Sequence, residues 1–235
     1  MSKKTLIFDI WGEFGHFKKF YTTSSPLTFS VPPPTAIYGI LGAILGLSKN
    51  DYLNHINGRT TKIAIQILKP IKKTRMTLNY IDTKRAINFH FIKRNGRTQI
   101  KIEFLKNPAY RLFINMNNEN FFNQLITKVK NKENYYTVSL GLANLLANFS
   151  YVGFEEAQPV NITNKVDTAI LSENIEEIEV KEGKKYFKEK LPIDMSPDRE
   201  PLAYKDVVME LNGNSLEGKF KNCYKVGRNS IISFL

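Results

Sequence analysis

The sequence predicts an α+β protein built on a βαββαβ unit, with a long β-hairpin inserted into the unit and a β-rich segment after it. Two observations carry this prediction. Two amphipathic helical patterns alternate with strand-like runs up to residue 155, and an Asn-Gly pair stands between two further alternating runs. The 235 residues, of which 42% are hydrophobic, suffice for one large domain or for a domain with a smaller appendage.

The first half of the unit combines a strand, a helix and a second strand. The nearly continuous apolar run Thr5–Trp11 is typical of a buried central strand. The breaker Pro32–Pro34 favours a helix start, and apolar residues at helical spacing then predict a helix over Thr35–Leu47. Alternation over Thr61–Leu68 predicts the second strand.

An inserted hairpin is predicted at about residues 85–105. The alternating runs Ala86–Lys93 and Gln99–Phe104 flank Asn95-Gly96, whose two residues tolerate the positive φ of a tight hairpin turn. The preceding segment, Lys69–Arg85, is basic and shows no regular pattern. We therefore expect a basic arm that extends away from the core.

The second half of the unit repeats the strand-helix-strand order. Ala109–Asn115 alternates as a strand, and Asn118 is a suitable N-cap for an amphipathic helix over Glu119–Lys132. A last strand is predicted over Phe149–Phe154. Without the hairpin the order is βαββαβ, the ferredoxin-like (RRM-like) arrangement, which serves many functions and does not decide between them.

Residues 156–235 are predicted to form a small β-rich C-terminal appendage, separate from the domain of residues 1–155. Ile175–Val180 and Tyr186–Leu191 flank Glu182-Gly183 and predict a hairpin. Asp206–Leu211 and Tyr224–Phe234 predict further strands.

Positive charge is concentrated in the first half of the chain. The formal net charge is +12, but residues 1–118 contain 19 Lys and Arg against 5 Asp and Glu, a net of +14. Such asymmetry is typical of a site for a polyanion. A charge that serves only solubility, or the Lys, Asn and Ile bias of an A+T-rich genome, is the alternative interpretation.

The strongest candidate for such a site is the segment Lys62–Arg111, where 13 Lys and Arg stand against Asp82 and Glu103 and aromatic residues are interleaved. Basic side chains neutralise phosphates and aromatic faces stack on unpaired bases, so this composition favours single-stranded RNA. A solvated edge hairpin whose charges prevent sheet aggregation is the competing interpretation. The residues that we expect to contact RNA are Lys18, Lys19, Tyr21, Lys72, Lys73, Arg75, Lys84, Arg85, Lys93, Arg94, Arg97 and Lys101.

Sequence motifs for catalysis, metal binding and cofactor binding are absent. The three histidines have no metal-ligand spacing, and the chain contains no GxSxG, HExxH or P-loop pattern, so we expect no metal and no cofactor. A metal-independent ribonuclease is the alternative function, with His90 acting beside Tyr80, Lys93 or Lys101.

The remaining composition predicts a soluble cytoplasmic protein that does not enter a membrane. Cys223 is the single cysteine, which excludes an internal disulfide and fits a reducing compartment. The most apolar window, Ala36–Leu47, is far shorter than the roughly 20 residues of a membrane span.

Two groups of motifs resemble the fifth CRISPR-associated (Cas) protein family, of the RAMP superfamily. The N-terminal signature is carried by Phe8–Gly12, His16–Thr28 and Pro32–Gly42, and the second signature by Thr137–Asn144, Ala147–Phe149 and Tyr151–Gly153. The entry into the Thr35 helix most resembles the subtype I-B branch.

The resemblance implies a role as one subunit of a type I Cascade surveillance complex. Members of the family hold the 5′ handle of the CRISPR RNA and cap one end of the backbone filament. Partners would then be the CRISPR RNA, the repeated backbone subunit and the large subunit, and Ala86–Phe104 would correspond to the family's hairpin thumb. One branch cleaves its guide precursor with a Tyr/Lys/His set, but in I-B-like systems a separate endonuclease does so, which favours a non-catalytic role here.

Overall fold

The computed structural model describes residues 3–22, 25–81 and 97–235. Its helices are α1 (Pro34–Leu45), α2 (Tyr52–His55) and α3 (Glu119–Asn131). Its strands are β1 (Lys3–Trp11), β2 (Phe14–Gly15), β3 (Thr61–Ile67), β4 (Lys73–Ile81), β5 (Arg97–Lys106), β6 (Ala109–Met116), β7 (Asn148–Val166), β8 (Ile170–Leu171), β9 (Ile175–Ile178), β10 (Tyr186–Met195), β11 (Pro201–Glu210), β12 (Leu216–Val226) and β13 (Ser230–Ile232). The protein is therefore an α+β protein dominated by sheets.

The main sheet has the order β13-β12-β7-β1-β6-β3, with β9 paired to β12. Its central strand β1 lies between β6 and β7, and both pairings are antiparallel, as is that of β3 with β6. In chain order the elements around this centre are β1, α1, β3, β6, α3 and β7, with β4 and β5 between β3 and β6.

Local signals account for the ends of the two long helices. Helix α1 begins at Pro34, whose ring presets the helical φ and which lacks the N–H that would have no partner there. It ends at Gly46, whose positive φ of 89° lets its own N–H and that of Leu47 bond to the Gly42 carbonyl. Helix α3 is capped as predicted, because the Asn118 side chain accepts a hydrogen bond from the Phe121 N–H at 3.1 Å.

Side chains pack against both faces of the sheet. The side chains of Leu6, Phe8 and Ile10 pack with α1 and α3 in the largest apolar cluster of the protein. Ile7, on the opposite face of β1, lies in a second cluster with Val226 and Phe234 from the C-terminal segment. The part of this face around Ile7 is therefore packed, whereas Trp11 at the other end of β1 is 37% exposed.

The C-terminal segment continues the sheet of the N-terminal elements. Strand β7 runs without a break from Asn148 to Val166, across the boundary predicted at residue 155, and β12 pairs with its second part. Leu191, Val207 and Met209 belong to the same apolar cluster as α1. The division into two domains stays a prediction.

Strand pairing adds to expectation in one place and differs from it in another. Gln99–Phe104 pairs with Thr74–Asn79 of β4, so the segment predicted to be irregular supplies a strand. Residues 82–96, with the predicted strand Ala86–Lys93 and the predicted Asn-Gly turn, lie outside the described residues. In the C-terminal part β9 pairs with β12, while β10 pairs with β11, which replaces the predicted pairing of Ile175–Val180 with Tyr186–Leu191.

Helix α3, the longest described, has 13 residues, and within the described ranges none of the helices combines the length and apolar character that a membrane crossing requires.

Candidate nucleic-acid interface

A cleft of about 650 Å³ opens beside the β4-β5 hairpin. Its walls come from the segment between β2 and α1, from the hairpin, from the loop around Gly141 and from the end of the β10-β11 hairpin. None of the described residues that line it is acidic. Its polar and aromatic lining residues are His16, Phe17, Lys18, Phe20, Phe29, Thr35, Tyr52, Tyr80, Arg199 and Tyr204.

Exposed aromatic rings form one rim of this cleft. The rings of Phe20 and Tyr204 lie 4.7 Å apart between centroids, and Tyr21 meets Phe20 edge to face at 5.1 Å. Phe20 is 51% exposed and Tyr21 60% exposed, which is unusual for large aromatic side chains in a folded protein. Rings presented in this way can stack on unpaired nucleic-acid bases.

His16 forms part of the wall of the cleft and is almost completely buried, with 4% of its surface exposed. Its Nδ1 lies 2.7 Å from the backbone carbonyl oxygen of Glu103 on β5. Burial lowers the pKa of the imidazole below its usual value, and the nearby Lys18 ammonium acts in the same direction. The hydrogen bond to the Glu103 carbonyl and the negative charge of the Glu103 carboxylate both act in the opposite direction, but burial is the larger effect.

The β4-β5 hairpin has one apolar face and one polar face. Met76, Leu78 and Ile102 pack with Phe14 and Leu145 in a small apolar cluster. Because side chains alternate along a strand, the intervening residues form the opposite face. That polar face carries Lys73, Arg75, Thr77, Asn79, Arg97, Gln99, Lys101 and Glu103.

Cations dominate this polar face. The carboxylate of Glu103 lies 3.6 Å from the Lys73 ammonium and 4.0 Å from the Arg75 guanidinium, so it offsets part of their charge. Arg97 and Lys101 are exposed and form no ion pair with a carboxylate of the described ranges. The face is therefore suited to an anionic ligand.

Lys18 and Lys19 occupy different environments. Lys18 is exposed and lines the cleft. Lys19 is only 8% exposed, and its ammonium is paired with the carboxylate of Glu189 on β10. Burial alone would lower the Lys19 pKa, but the hydrogen bond and charge of Glu189 raise it above the usual value, so Lys19 carries its charge within the protein.

The remaining predicted RNA contacts divide into those that the structure locates and those outside the described residues. Tyr21 lies at the aromatic rim, and Lys73, Arg75, Arg97 and Lys101 lie on the hairpin's polar face. Lys72 is exposed and directly precedes β4. Lys84, Arg85, Lys93 and Arg94 fall in residues 82–96, outside the described ranges, as does His90 of the alternative ribonuclease set.

Sequence reasoning missed most of the residues that line the cleft, among them His16, Phe20, Arg199 and Tyr204. Phe20 could have been identified from the sequence. It follows Lys18 and Lys19 in a polar stretch without a helix or strand pattern, where an aromatic side chain is not expected to be buried. Tyr204 and Arg199 had no such signal, since they reach the cleft only through the packing of β10 and β11.

Two observations bear on catalysis and metal binding. Across residues 3–22, 25–81 and 97–235, no group of three His, Cys, Asp or Glu side chains is placed to hold a metal ion. Tyr80 and Lys101, the described members of the alternative ribonuclease set, lie on opposite faces of the β4-β5 hairpin, because Tyr80 is opposite Thr98 and Lys101 is opposite Thr77.

Known proteins resemble this chain in family and fold. A solved structure described as "CRISPR RNA-guided surveillance complex" is 12% identical, with a TM-score of 0.57 over 88% of this chain and 90% of that one. A "CRISPR protein from Archaeoglobus fulgidus" is 12% identical, with a TM-score of 0.53 over 97% of both chains. At this identity the two likenesses show the fold alone, and no protein with a curated function matches in sequence. Residues 5–200, however, match the family model described as "CRISPR-associated protein (Cas_Cas5)", so this chain belongs to the Cas5 family of CRISPR-associated proteins.

Proposed function

We propose that this protein is a non-catalytic RNA-binding subunit of a type I Cascade complex that holds the 5′ handle of the CRISPR RNA and caps the backbone filament. The observation that carries the proposal is the cleft: its described lining has no acidic residue, has an aromatic rim, and lies beside a hairpin whose polar face is rich in cations. The cationic face suits RNA phosphates, and the aromatic rim suits unpaired RNA bases.

The binding mode follows from which surfaces are free. In a plain RNA-recognition motif, bases stack on the open face of the sheet. Here the part of that face around Ile7 and Phe113 is packed against Val226 and Phe234, which leaves less room for bases. The RNA therefore passes from one face of the hairpin to the other. Its phosphates lie near Arg97 and Lys101 on the polar face, and its bases lie near Phe20 and Tyr204 in the cleft, which the apolar face lines.

The fold supports the assignment of a ferredoxin-like core. We propose that β1, α1, β3, β6, α3 and β7 form this core, because their strands are antiparallel and lie in the order β7-β1-β6-β3. The β4-β5 hairpin is then the inserted thumb, and the resemblance of the entry into α1 to the subtype I-B branch supports assignment to that branch. Its protein partners are the repeated backbone subunit and the large subunit, and it acts in the cytoplasm without membrane contact.

A non-catalytic role is favoured over RNA cleavage. General acid–base catalysis requires both groups within hydrogen-bonding reach of one substrate site. Tyr80 and Lys101 lie on opposite faces of the hairpin and do not provide such a pair. Incubation of the purified chain with labelled repeat RNA in EDTA tests this part of the proposal, and cleavage that is lost on His90→Ala would overturn it.

The first test of RNA binding is to co-express the chain with its genomic neighbours, purify the resulting complex and sequence the RNA in it. Short CRISPR-derived RNAs with a common 5′ repeat end are expected. Random cellular RNA, or none, would contradict the proposal.

A second test separates the hairpin surface from the general positive charge. Arg97→Glu with Lys101→Glu should weaken handle binding strongly and reduce its salt dependence, because each phosphate contact releases about 0.7 counterions from single-stranded RNA. Lys221→Glu with Lys225→Glu is the control of matched charge, since both lysines are exposed on β12 and neither lines the cleft. Equal losses in both variants would show that only the total charge matters.

A further inference from the structure

We propose that His16 is a specificity-determining residue of the cleft, where its Nε2 accepts a hydrogen bond from an N–H donor on the edge of an unpaired RNA base. This inference rests on the proposed function and adds a chemical preference to it: the cleft selects a base edge that donates.

The contact at Nδ1 determines which nitrogen of His16 carries the proton. A carbonyl oxygen only accepts hydrogen bonds, so the Nδ1 that lies 2.7 Å from the Glu103 oxygen must be the donor. In a neutral imidazole the other nitrogen then has no proton and is an acceptor. The ring is neutral at physiological pH, because its burial lowers the pKa.

The second nitrogen of His16 is available to a ligand. Among the described residues Nε2 makes no hydrogen bond, although the side chain is 96% buried and forms part of the wall of the cleft. Nε2 is not among the fully buried polar atoms that lack a partner, so it retains contact with solvent and is open to water or a ligand. Because His16 lines the cleft, the proposal assigns this accessible acceptor to the RNA base that binds there.

The surroundings of His16 make an N–H donor of a base a better ligand than a phosphate. A neutral imidazole whose Nε2 is an acceptor offers no proton to a phosphate oxygen. Tilted against Phe104 with centroids 5.6 Å apart, the ring is held between an apolar neighbour and the Glu103 backbone, which prevents it from turning its N–H toward the cleft. Phe20 and Tyr204 at the rim supply the stacking surface for the base whose edge reaches His16.

The test compares two RNA probes of about eight nucleotides, a length within the usual range of single-strand sites. One is oligoadenosine. The other is oligonebularine, which has the same purine ring but lacks the exocyclic amine and so has no N–H donor on its Watson–Crick edge. The full-length protein should bind oligoadenosine about threefold to tenfold more tightly, as one hydrogen bond requires.

His16→Asn is the decisive variant, because the Asn amide can still donate to the Glu103 carbonyl but does not reach as far as Nε2. The preference for oligoadenosine should disappear in this variant. His55→Asn is the matched control, since His55 bonds to Asp51 at 3.1 Å and does not line the cleft. A preference that persists in His16→Asn, or that is lost equally in His55→Asn, would overturn the proposal.

A measurement on the unaltered chain covers the case in which His16→Asn does not fold. In protein labelled with ¹⁵N-histidine, the Nε2 resonance of His16, assigned by removing His55 and His90 in turn, should shift with oligoadenosine and not with oligonebularine. Equal shifts, or none, would refute the role of His16 while RNA binding remains. Absence of RNA binding by the unaltered protein would overturn the proposed function and this inference together.

Discussion

Replacing Lys19 and its neighbour Lys18 by methionine should separate a structural lysine from a binding lysine. The side chains of Lys19 and Glu189 are only 10% and 5% exposed, and Glu189 also accepts the Ser30 N–H at 3.0 Å. Lys19→Met leaves a buried carboxylate with that single N–H. Breaking a buried pair in this way costs about 3–5 kcal/mol.

This cost is large relative to the stability of a typical domain, which is about 5–15 kcal/mol. Urea unfolding followed by circular dichroism measures it. With a slope of about 2–3 kcal/mol per molar urea, the midpoint should fall by about 1–2.5 M. Lys18→Met, at an exposed position, should change the unfolding free energy by less than about 0.5 kcal/mol but weaken RNA binding.

The double variant Lys19→Met with Glu189→Gln tests the cause. The neutral Gln side chain can still accept the Ser30 N–H, so most of the lost stability should return. Wild-type stability in Lys19→Met, combined with RNA binding as weak as that of Lys18→Met, would show that Lys19 is a surface ligand and that the argument from burial is incorrect.

Three further substitutions test the structure at single positions. Gly141→Ala should destabilise the protein about 1–3 kcal/mol more than Gly183→Ala in thermal unfolding. Both glycines have positive φ, but only at Gly141 would a Cβ lie 1.9 Å from the His16 carbonyl oxygen. Equal losses of stability in the two variants would refute this clash. Gly39→Ala should stabilise the protein by about 0.5–1 kcal/mol in the same assay, because Gly39 is within α1 and a Cβ there meets nothing within 4 Å, and a loss would show that the helix surface is occupied. Hydrogen bonds from Lys181 and Lys184 lower the Glu217 pKa from 4.5 to about 2, so Glu217 contributes stability above its unfolded pKa and loses it as the pH falls toward 2. The difference in stability between wild type and Glu217→Gln should therefore narrow over that range, and a difference independent of pH would exclude the ion pairs as its cause.

Elements with a regular pattern of apolar residues were predictable from sequence. The structure confirms β1, α1, β3, β6 and α3, with every end within two residues of its predicted position. Their burial repeats with the period of a helix or strand, and their ends carry local signals such as Pro34 and Asn118. Strand β4 was not predicted, because the basic residues at its start drew attention away from the alternation of Met76, Leu78 and Tyr80 with polar residues.

The candidate site was predictable only in its chemical character. The sequence located the positive charge in the first half of the chain and on the hairpin, and the structure brings Arg97 and Lys101 to one face of β5. The sequence did not distinguish Lys18 from Lys19, because adjacent residues of the same type differ only in the side chains that pack against them. The role of Lys19 depends on Glu189, which is 170 positions away in the chain.

Sequence by itself determined the family, the main secondary structure and the sign of the charge at the site, since these depend on residue types at short spacings. The tertiary structure decided which strands pair, which sheet face the C-terminal segment covers, and that His16, Phe20 and Tyr204 line the same cleft. Contacts between distant segments depend on how whole elements pack, and the free energy of that packing is shared among many side chains, so no local pattern specifies it.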